Sequence, residues 1–410
     1  MSEYRLKCIS CGREFKEEEI EYTCPDCGER KGTLEVVYDY EFVAKRVDRN
    51  VFRKNSTKGI WQFIDILPVS KNIALPDLEL GNTPLYFSND QAKKFGLGSF
   101  SIKDDGRNPS ASYKDRASAV AVMKAKEKNF DTIFCASTGN AASSLSCFSA
   151  VSNLKCIIFV PATSPEAKIA QMQVYGANVV AIDGSYDVAF DISMKVGLTE
   201  GWYCRNSAIN PYLLEGKKTG ALELAVQYNW KLPDYIFVSV GDGTVYSSFY
   251  KGFYDLKQLG LIDEIPVVIG VQSEEISPVA DTFEKGEPFE PIDAEGNSVA
   301  DSIAVGKPRD VIKAVTYAQR FNGDFIKVSD DEIIEAIIEL ARDSGVFAEP
   351  AGAASYAGFK KYARLNTLKG KNVSVIVTGN GLKDLKSAMK KIGSVEIYPA
   401  DEKVIREAFE

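Results

Sequence analysis

Thr132-Ile-Phe-Cys-Ala136 leads into Ser137-Thr-Gly-Asn140 and then into the helical stretch Ala141–Val151. A short β-rich run, a small hydroxylated turn and a helix make one strand–loop–helix unit. The unit recurs on both sides. Further β-rich runs are Phe100–Lys103, Lys155–Val160, Val179–Ile182, Tyr235–Val240, Val267–Val271 and Val373–Val377. Between them lie helical stretches at Lys114–Lys126, Pro165–Tyr175, Tyr186–Val196, Leu214–Tyr228, Val245–Leu259, Asp330–Ser344 and Ala351–Tyr362. Strand alternating with helix predicts the α/β class, with parallel sheets covered by helices on both faces. The number of units predicts two open parallel-sheet domains with the active site in the cleft between them. Ligands in such folds sit on the loops beyond the carboxyl ends of the strands. The expected organisation is a cysteine module over 1–38, a connector over 39–80, an N-terminal α/β domain over 81–210 and a C-terminal α/β domain over 211–400. Within the connector, Trp61–Ile66 is an apolar patch expected to dock on the main body. The Pro-, Gly- and acid-rich stretch 281–310 is a long connection that reads as a lid or a surface excursion.

A chain of 410 residues has room for two or three domains and several cores. Its composition narrows the chemistry sharply, because it contains 0 histidines. Serine–histidine triads, cysteine–histidine dyads, HExxH zinc hydrolysis and imidazole acid–base chemistry are all excluded. Protons must be moved by Lys, Asp, Glu, Tyr, Cys, water or a cofactor. A net charge of −8 argues against broad binding to nucleic acid or an anionic membrane. The apolar runs are far shorter than the roughly 20 residues of a membrane helix. Met1–Lys7 lacks the apolar core of a signal peptide, so the expected location is the cytoplasm. Cys135, Cys147, Cys156 and Cys204 lie among apolar or small residues and read as buried thiols.

The other four cysteines form two CxxC pairs, Cys8–Cys11 and Cys24–Cys27, with 12 residues between them. Gly12 and Gly28 follow the second cysteine of each pair and permit a turn that aims amides at the thiolates. Two disulfides or a redox pair are the alternatives, but two pairs at this spacing favour a zinc ribbon. An all-cysteine site without histidine is closed, hence structural. A module of this size has almost no core of its own, so metal would supply its folding energy. Its acidic run Glu17–Glu19 and Glu21 argues against nucleic acid as a partner.

Four loops after predicted strands carry candidate chemistry. In Asn108–Arg116 a small-residue turn brings Lys114 to a helix start, where the helix dipole and Arg116 would favour the free amine. Ser137–Asn140 offers amides and hydroxyls to a carboxylate or phosphate. Val240-Gly-Asp-Gly-Thr244 can form an amide cradle for a phosphate. Thr378–Asp384 closes the last strand.

Together these loops resemble the threonine synthase family. Asn108–Arg116 is similar to its cofactor-lysine motif, Gly81–Leu85 to its G-x-T-P-L segment, Ser137–Asn140 to S-T-G-N and Thr378–Asp384 to T-G-x-G-L-K-D. Asn206, Ser207, Asn210, Pro211, Glu215, Gly216 and Thr219 match most of N-S-x-N-P-x-R-x-E-G-Q-K-T. The resemblance spans about Gly81 to Asp384 and implies a tryptophan-synthase-β-like, fold-type II pyridoxal-phosphate enzyme. It implies that Lys114 holds the cofactor covalently and then shuttles protons. It further implies that Gly241, Asp242, Gly243 and Thr244 bind the cofactor phosphate, Asn140 the ring hydroxyl, and that Thr378 faces the ring nitrogen. Ser137 and Thr138 would take the substrate carboxylate, with Asn206 and Ser207 also on the substrate, and Tyr113 would flank the ring. The implied partner is a small phosphorylated amino acid and the implied assembly a homodimer.

Three departures bear on the substrate. Leu213 stands where the family has an arginine that grips substrate phosphate, and Lys217 stands where it has glutamine. Ala141 and Ala142 replace a Thr-Ser pair, and Ala111 replaces a glycine of the lysine loop. Lys217, four residues after Leu213 on a helix, is expected to supply the missing charge. The implied reaction is O-phosphohomoserine plus water to threonine plus phosphate. The alternatives are cysteate synthase, acting on O-phosphoserine and sulfite, and a serine/threonine dehydratase. A binding protein that kept the fold and lost the reaction would not need Lys114.

Overall fold

The structure is a computed structural model that describes residues 4–54, 56–392 and 395–409. Its strands, in chain order, are β1 (Tyr4–Cys8), β2 (Glu14–Phe15), β3 (Leu34–Tyr38), β4 (Leu85–Phe87), β5 (Ser99–Asp104), β6 (Thr132–Ala136) and β7 (Lys155–Pro161). They continue as β8 (Asn178–Ile182), β9 (Tyr203–Cys204), β10 (Tyr235–Ser239), β11 (Val267–Ser273), β12 (Asp324–Val328) and β13 (Asn372–Val377). They form a three-stranded sheet β2-β1-β3, a six-stranded sheet β12-β11-β10-β13-β5-β4 and a four-stranded sheet β8-β7-β6-β9. The four-stranded sheet is all parallel, and the six-stranded one is parallel except for its edge strand β4. Interior strands such as Thr132–Ala136 are buried along their whole length, as a sheet covered on both faces requires.

The two α/β units do not divide at residue 210, as the chain order suggests. β5 pairs in parallel with β13, Ser99 opposite Asn372 and Asp104 opposite Val377. The larger sheet is therefore closed by the first and last α/β strands, and β6–β9 form a smaller sheet inserted between them. One consequence is that the loop after β5 and the loop after β13 are neighbours. Ser112 and Gly379 form a bridge between them.

The N-terminal module is built into the body rather than tethered to it. Leu6, Phe15, Leu34, Val36 and Tyr38 are buried in the same apolar cluster as Tyr113 and Leu213, which corrects the expectation of a module almost without a core. The Tyr38 hydroxyl donates to Glu215 at 2.6 Å, Lys313 Nζ to the Leu34 carbonyl at 2.9 Å and the Cys204 N–H to the Tyr22 hydroxyl at 2.9 Å. Ile60, Trp61, Phe63 and Ile66 of the connector are buried as expected. Asn55, in the turn-rich part of the connector, lies outside the described residues.

Two helices set the position of the lysine loop. Lys114–Glu127 crosses Tyr212–Gln227 closely, and Gly216 makes that crossing feasible. A Cβ on Gly216 would lie 2.2 Å from the Arg116 carbonyl oxygen. The interface between these helices and β5 is charged. Arg116, wholly buried, pairs with Asp105 at 2.6 Å and Glu223 at 3.1 Å, and Lys103 also pairs with Glu223. The N–H groups of Asn82 and Thr83 each donate to Glu223 at 2.8 Å. The Gly81–Leu85 motif therefore anchors this buried quartet.

Candidate active site

A cavity of about 500 Å³ opens between the two parallel sheets, within the usual size of small-molecule sites. Lys114, Ser137, Thr138, Asn140, Ser207, Gly241, Asp242 and Thr378 all line it. Each comes from a loop or helix start that follows a strand. Five loops distant in sequence thus converge at the carboxyl ends of the strands.

The lysine loop is held on both sides. Asp115 accepts hydrogen bonds from the N–H (2.7 Å) and hydroxyl of Ser110, and the Tyr113 N–H donates to the Thr378 carbonyl at 2.8 Å. Ala111 sits at φ +63°, a left-handed conformation that a side chain disfavours. The departure from glycine at this position is therefore borne as backbone strain, in a loop its neighbours overdetermine. Burial drives the Lys114 amine below its ordinary value; Asp242 opposes this, Arg205 reinforces it and Glu349 opposes it. One of the two expected sources of the effect, Arg116, is instead paired with Asp105 and Glu223. Arg205 takes that role: it is buried, with Nε on the Ser118 hydroxyl at 3.1 Å and Nη2 without a partner among the described residues.

The Gly241–Thr244 loop precedes the helix Thr244–Gln258, with Gly243 at φ +100°. The Asp242 carboxylate accepts from the Thr244 N–H at 3.0 Å and hydroxyl at 2.8 Å. Burial alone would raise the Asp242 carboxyl, but Lys217 and Lys114 hold it well below the carboxylate range. An ionised side chain so engaged leaves only the Asp242 backbone to meet a phosphate.

Lys217 is not on the cavity wall. Its Nζ hydrogen-bonds the Thr244 hydroxyl and lies 3.2 Å from the Ser207 hydroxyl, so it stands behind the loop and not toward a substrate. Burial pushes its amine down to about 7, with Asp242 opposing that shift. Leu213 is buried in the apolar core. The four-residue spacing does place both on one helix, but that helix is buried nearly all round.

Asn206 is a brace. Its side-chain oxygen accepts from the Ala136 N–H at 2.7 Å and its side-chain amide donates to the Ser193 hydroxyl at 3.2 Å, which fixes the end of β6 from behind. It does not line the cavity, contrary to expectation. Tyr113 is buried, lines the cavity and donates its hydroxyl to the Lys217 carbonyl at 2.6 Å.

Sequence reading missed Glu349 and Arg309, which also line the cavity. Glu349 precedes the helix Pro350–Leu365 and accepts from the Asn140 amide at 2.7 Å. Burial pushes its carboxyl up to about 7, against Lys383, the Asn140 hydrogen bond and Lys114. Two carboxyls in one cavity, Asp242 and Glu349, are thus shifted in opposite directions, a signature of acid–base sites. The stretch 294–309 also reaches the cavity through Ala294, Glu295, Asp301–Lys307 and Arg309, so the long connection is a cover over the site.

Cys8, Cys11, Cys24 and Cys27 form a second cluster, with all four sulfurs within 4.8 Å of one another and none in a disulfide. Gly12 and Gly28 both adopt left-handed φ, +72° and +71°, so their N–H groups return to the carbonyls of Cys8 and Cys24. Among the described residues no helix is long and apolar enough to cross a membrane.

Residues 77–379 match the family described as pyridoxal-phosphate dependent enzyme. The threonine synthase of Methanocaldococcus jannaschii is 37% identical over 390 residues, 94% of each chain. That of Methanosarcina acetivorans is 35% identical over 407 residues, 99% of this chain and 98% of the other. Among solved structures, the processed form of threonine deaminase isoform 2 from Solanum lycopersicum superposes with a TM-score of 0.63 at 21% identity, covering 72% of this chain and 78% of that one. An L-serine ammonia-lyase from Rhizomucor miehei gives 0.65 at 20% identity, over 76% and 98%. At such identities the structural likeness concerns the fold alone.

Proposed function

The chain belongs to the threonine synthase family of pyridoxal-phosphate-dependent enzymes, and we propose that it forms threonine and phosphate from O-phospho-L-homoserine and water. The observation that carries this reading is the meeting of Lys114, the phosphate-type loop at Gly241, the hydroxylated turn at Ser137 and Thr378 around one cavity.

The residues fit the cofactor. The Ser239 hydroxyl on the cavity wall is buried without a partner among the described residues, and the Lys217 amine stands directly behind the Gly241–Thr244 loop, where an anion would favour its charged form. When bound, pyridoxal phosphate draws electrons from the substrate's α-carbon, so that protons can leave carbon. Lys114, whose burial favours the free amine, takes protons from the α- and β-carbons and delivers them to the γ-carbon, once phosphate has left it, and back to the α-carbon. Phosphate departs from the γ-carbon and water adds at the β-carbon. Ser137 and Thr138 receive the substrate carboxylate at the start of the helix Asn140–Val151, where hydroxyls and amides converge. Asn140 is assigned to the ring hydroxyl, with Glu349 behind it as a carboxyl able to hold or give up a proton near neutral pH. Thr378 would meet the ring nitrogen with a neutral hydroxyl, which cannot balance a protonated ring nitrogen as a carboxylate would. The 294–309 cover keeps bulk water from the reacting carbons.

The test is stoichiometric. Purified enzyme given O-phospho-L-homoserine should release one phosphate for each threonine formed. Phosphate without threonine would overturn the proposal.

Lys217 is reassigned with this reading, to the cofactor phosphate. Lys217→Ala should weaken pyridoxal phosphate binding by about tenfold or more, corresponding to ~1.4 kcal/mol. Titration of cofactor into cofactor-free protein measures this, and unchanged affinity would return Lys217 to a purely structural place.

The cysteine cluster is assigned to one structural zinc ion. Four sulfurs about 2.3 Å from a tetrahedral ion lie roughly 3.8 Å apart, and Cys11 and Cys24 sulfurs are 3.8 Å apart. Deleting residues 1–38 is not a clean test, because it would strip Tyr38 from the buried Glu215. Cys11→Ser, at the exposed ligand, is the better variant. It should abolish the one bound zinc and lower the melting temperature by roughly 5 °C or more. Turnover of the folded protein should stay within about twofold, since the site is closed to substrate. Metal content by mass spectrometry and a thermal melt decide it.

A further inference from the structure

We propose that Arg309, on the 294–309 cover, is the cation that grips the substrate's phosphate in place of the arginine replaced by Leu213. This inference rests on the threonine synthase reading and specifies how that same site selects its substrate.

Among the described residues, the cations lining the cavity are Lys114, Lys307 and Arg309. Lys114 is committed to the cofactor. Lys307 is exposed and lies 3.8 Å from Asp187, another cavity residue. Asp301, also on the wall, is paired with Lys168. Asp187 and Asp301 therefore have cations of their own. Arg309 has no ion pair and no side-chain hydrogen bond among the described residues, although it is only partly exposed.

Its guanidinium carbon lies 3.6 Å from the centroid of the Phe190 ring. Stacking on an aromatic face fixes the guanidinium plane and leaves its N–H edge unused. That edge is the fork that meets two phosphate oxygens at once. The backbone beneath it is also fixed. The next residue, Asp310, donates its N–H to the Asp242 carbonyl at 3.1 Å, and its carboxylate pairs with Lys313 at 3.2 Å. Arg309 is thus tied through its neighbour to the loop proposed to hold the cofactor phosphate, while it and the Phe190 ring under its guanidinium both line the cavity. The grip comes from the cover and not from the helix Tyr212–Gln227, so binding the phosphate would also draw the cover over the reacting carbons.

The variants are Arg309→Ala and Arg309→Lys, studied as holoenzymes. Arg309→Ala should raise KM for O-phospho-L-homoserine at least tenfold, with the cofactor absorbance and melting temperature of the wild type. Arg309→Lys, which keeps a charge but not the fork, should recover part of the loss. Inorganic phosphate, titrated calorimetrically into the holoenzymes, should bind the alanine variant at least tenfold more weakly than wild type. This second arm needs no turnover. If wild type proved inactive on O-phospho-L-homoserine, the reaction assigned above would fall, while the phosphate titration would still decide on Arg309. Equal phosphate affinity in wild type and Arg309→Ala, or an unchanged KM, would overturn the inference.

Discussion

Replacing Lys114 by alanine is expected to lower turnover by about a thousandfold or more and to abolish the yellow absorption at ~420 nm. Both effects arise from one side chain. Lys114 is the only lysine on the cavity wall, among the described residues, that starts a helix after a strained, doubly anchored loop. Burial favours its free amine, which must be uncharged to bond carbon or accept a proton. With no histidine in the chain, no imidazole can stand in for it. Spectra of wild type and variant, recorded with added cofactor, give the first answer. A variant that kept the band would show that another amine holds the cofactor.

The largest effect on stability should come from Arg116→Ala, a loss of ~3–5 kcal/mol. Arg116 and Lys103 face Asp105 and Glu223 with almost no solvent contact, two positive against two negative charges. Removing one member leaves a buried carboxylate uncompensated. Burial alone would raise the Glu223 carboxyl above its ordinary 4.5, but Arg116 and Lys103 hold it at about 2. A depressed carboxyl stabilises the fold fully above pH 4.5 and loses that contribution as pH falls toward 2. The wild type should therefore lose stability over this acid range more steeply than the variant. Denaturant midpoints at pH 7 and below pH 4 measure both quantities. A cost under about 1 kcal/mol at pH 7 would place this network among the weak ion pairs.

The sequence made the strand–loop–helix units legible because buried parallel strands are short continuous apolar runs. β12 escaped because Asp324 and Lys327 break such a run within 5 residues. The sheet partition escaped because nothing local in Ser99–Asp104 reports that its partner is Asn372–Val377. Loops with distinctive residues after strands could be read as site candidates, and Lys114, Ser137, Asn140, Gly241 and Thr378 do line one cavity. Residues whose neighbours are set by tertiary contact could not. Asn206 lies in a motif yet points behind β6, while Glu349 and Arg309 lie in no pattern that announces them. Lys217 illustrates the limit of helical spacing: the step back toward Leu213 is real, but the face is packed, and only the fold shows Thr244 beside it.

The most direct measurement runs the wild-type enzyme on O-phospho-L-homoserine in ¹⁸O-labelled water and follows the label by mass spectrometry. One labelled oxygen is expected in threonine, at the β-hydroxyl, with unlabelled phosphate, because the carbon–oxygen bond breaks and water adds to carbon. Label in the phosphate, or a keto acid with no threonine, would contradict the reaction proposed for this site.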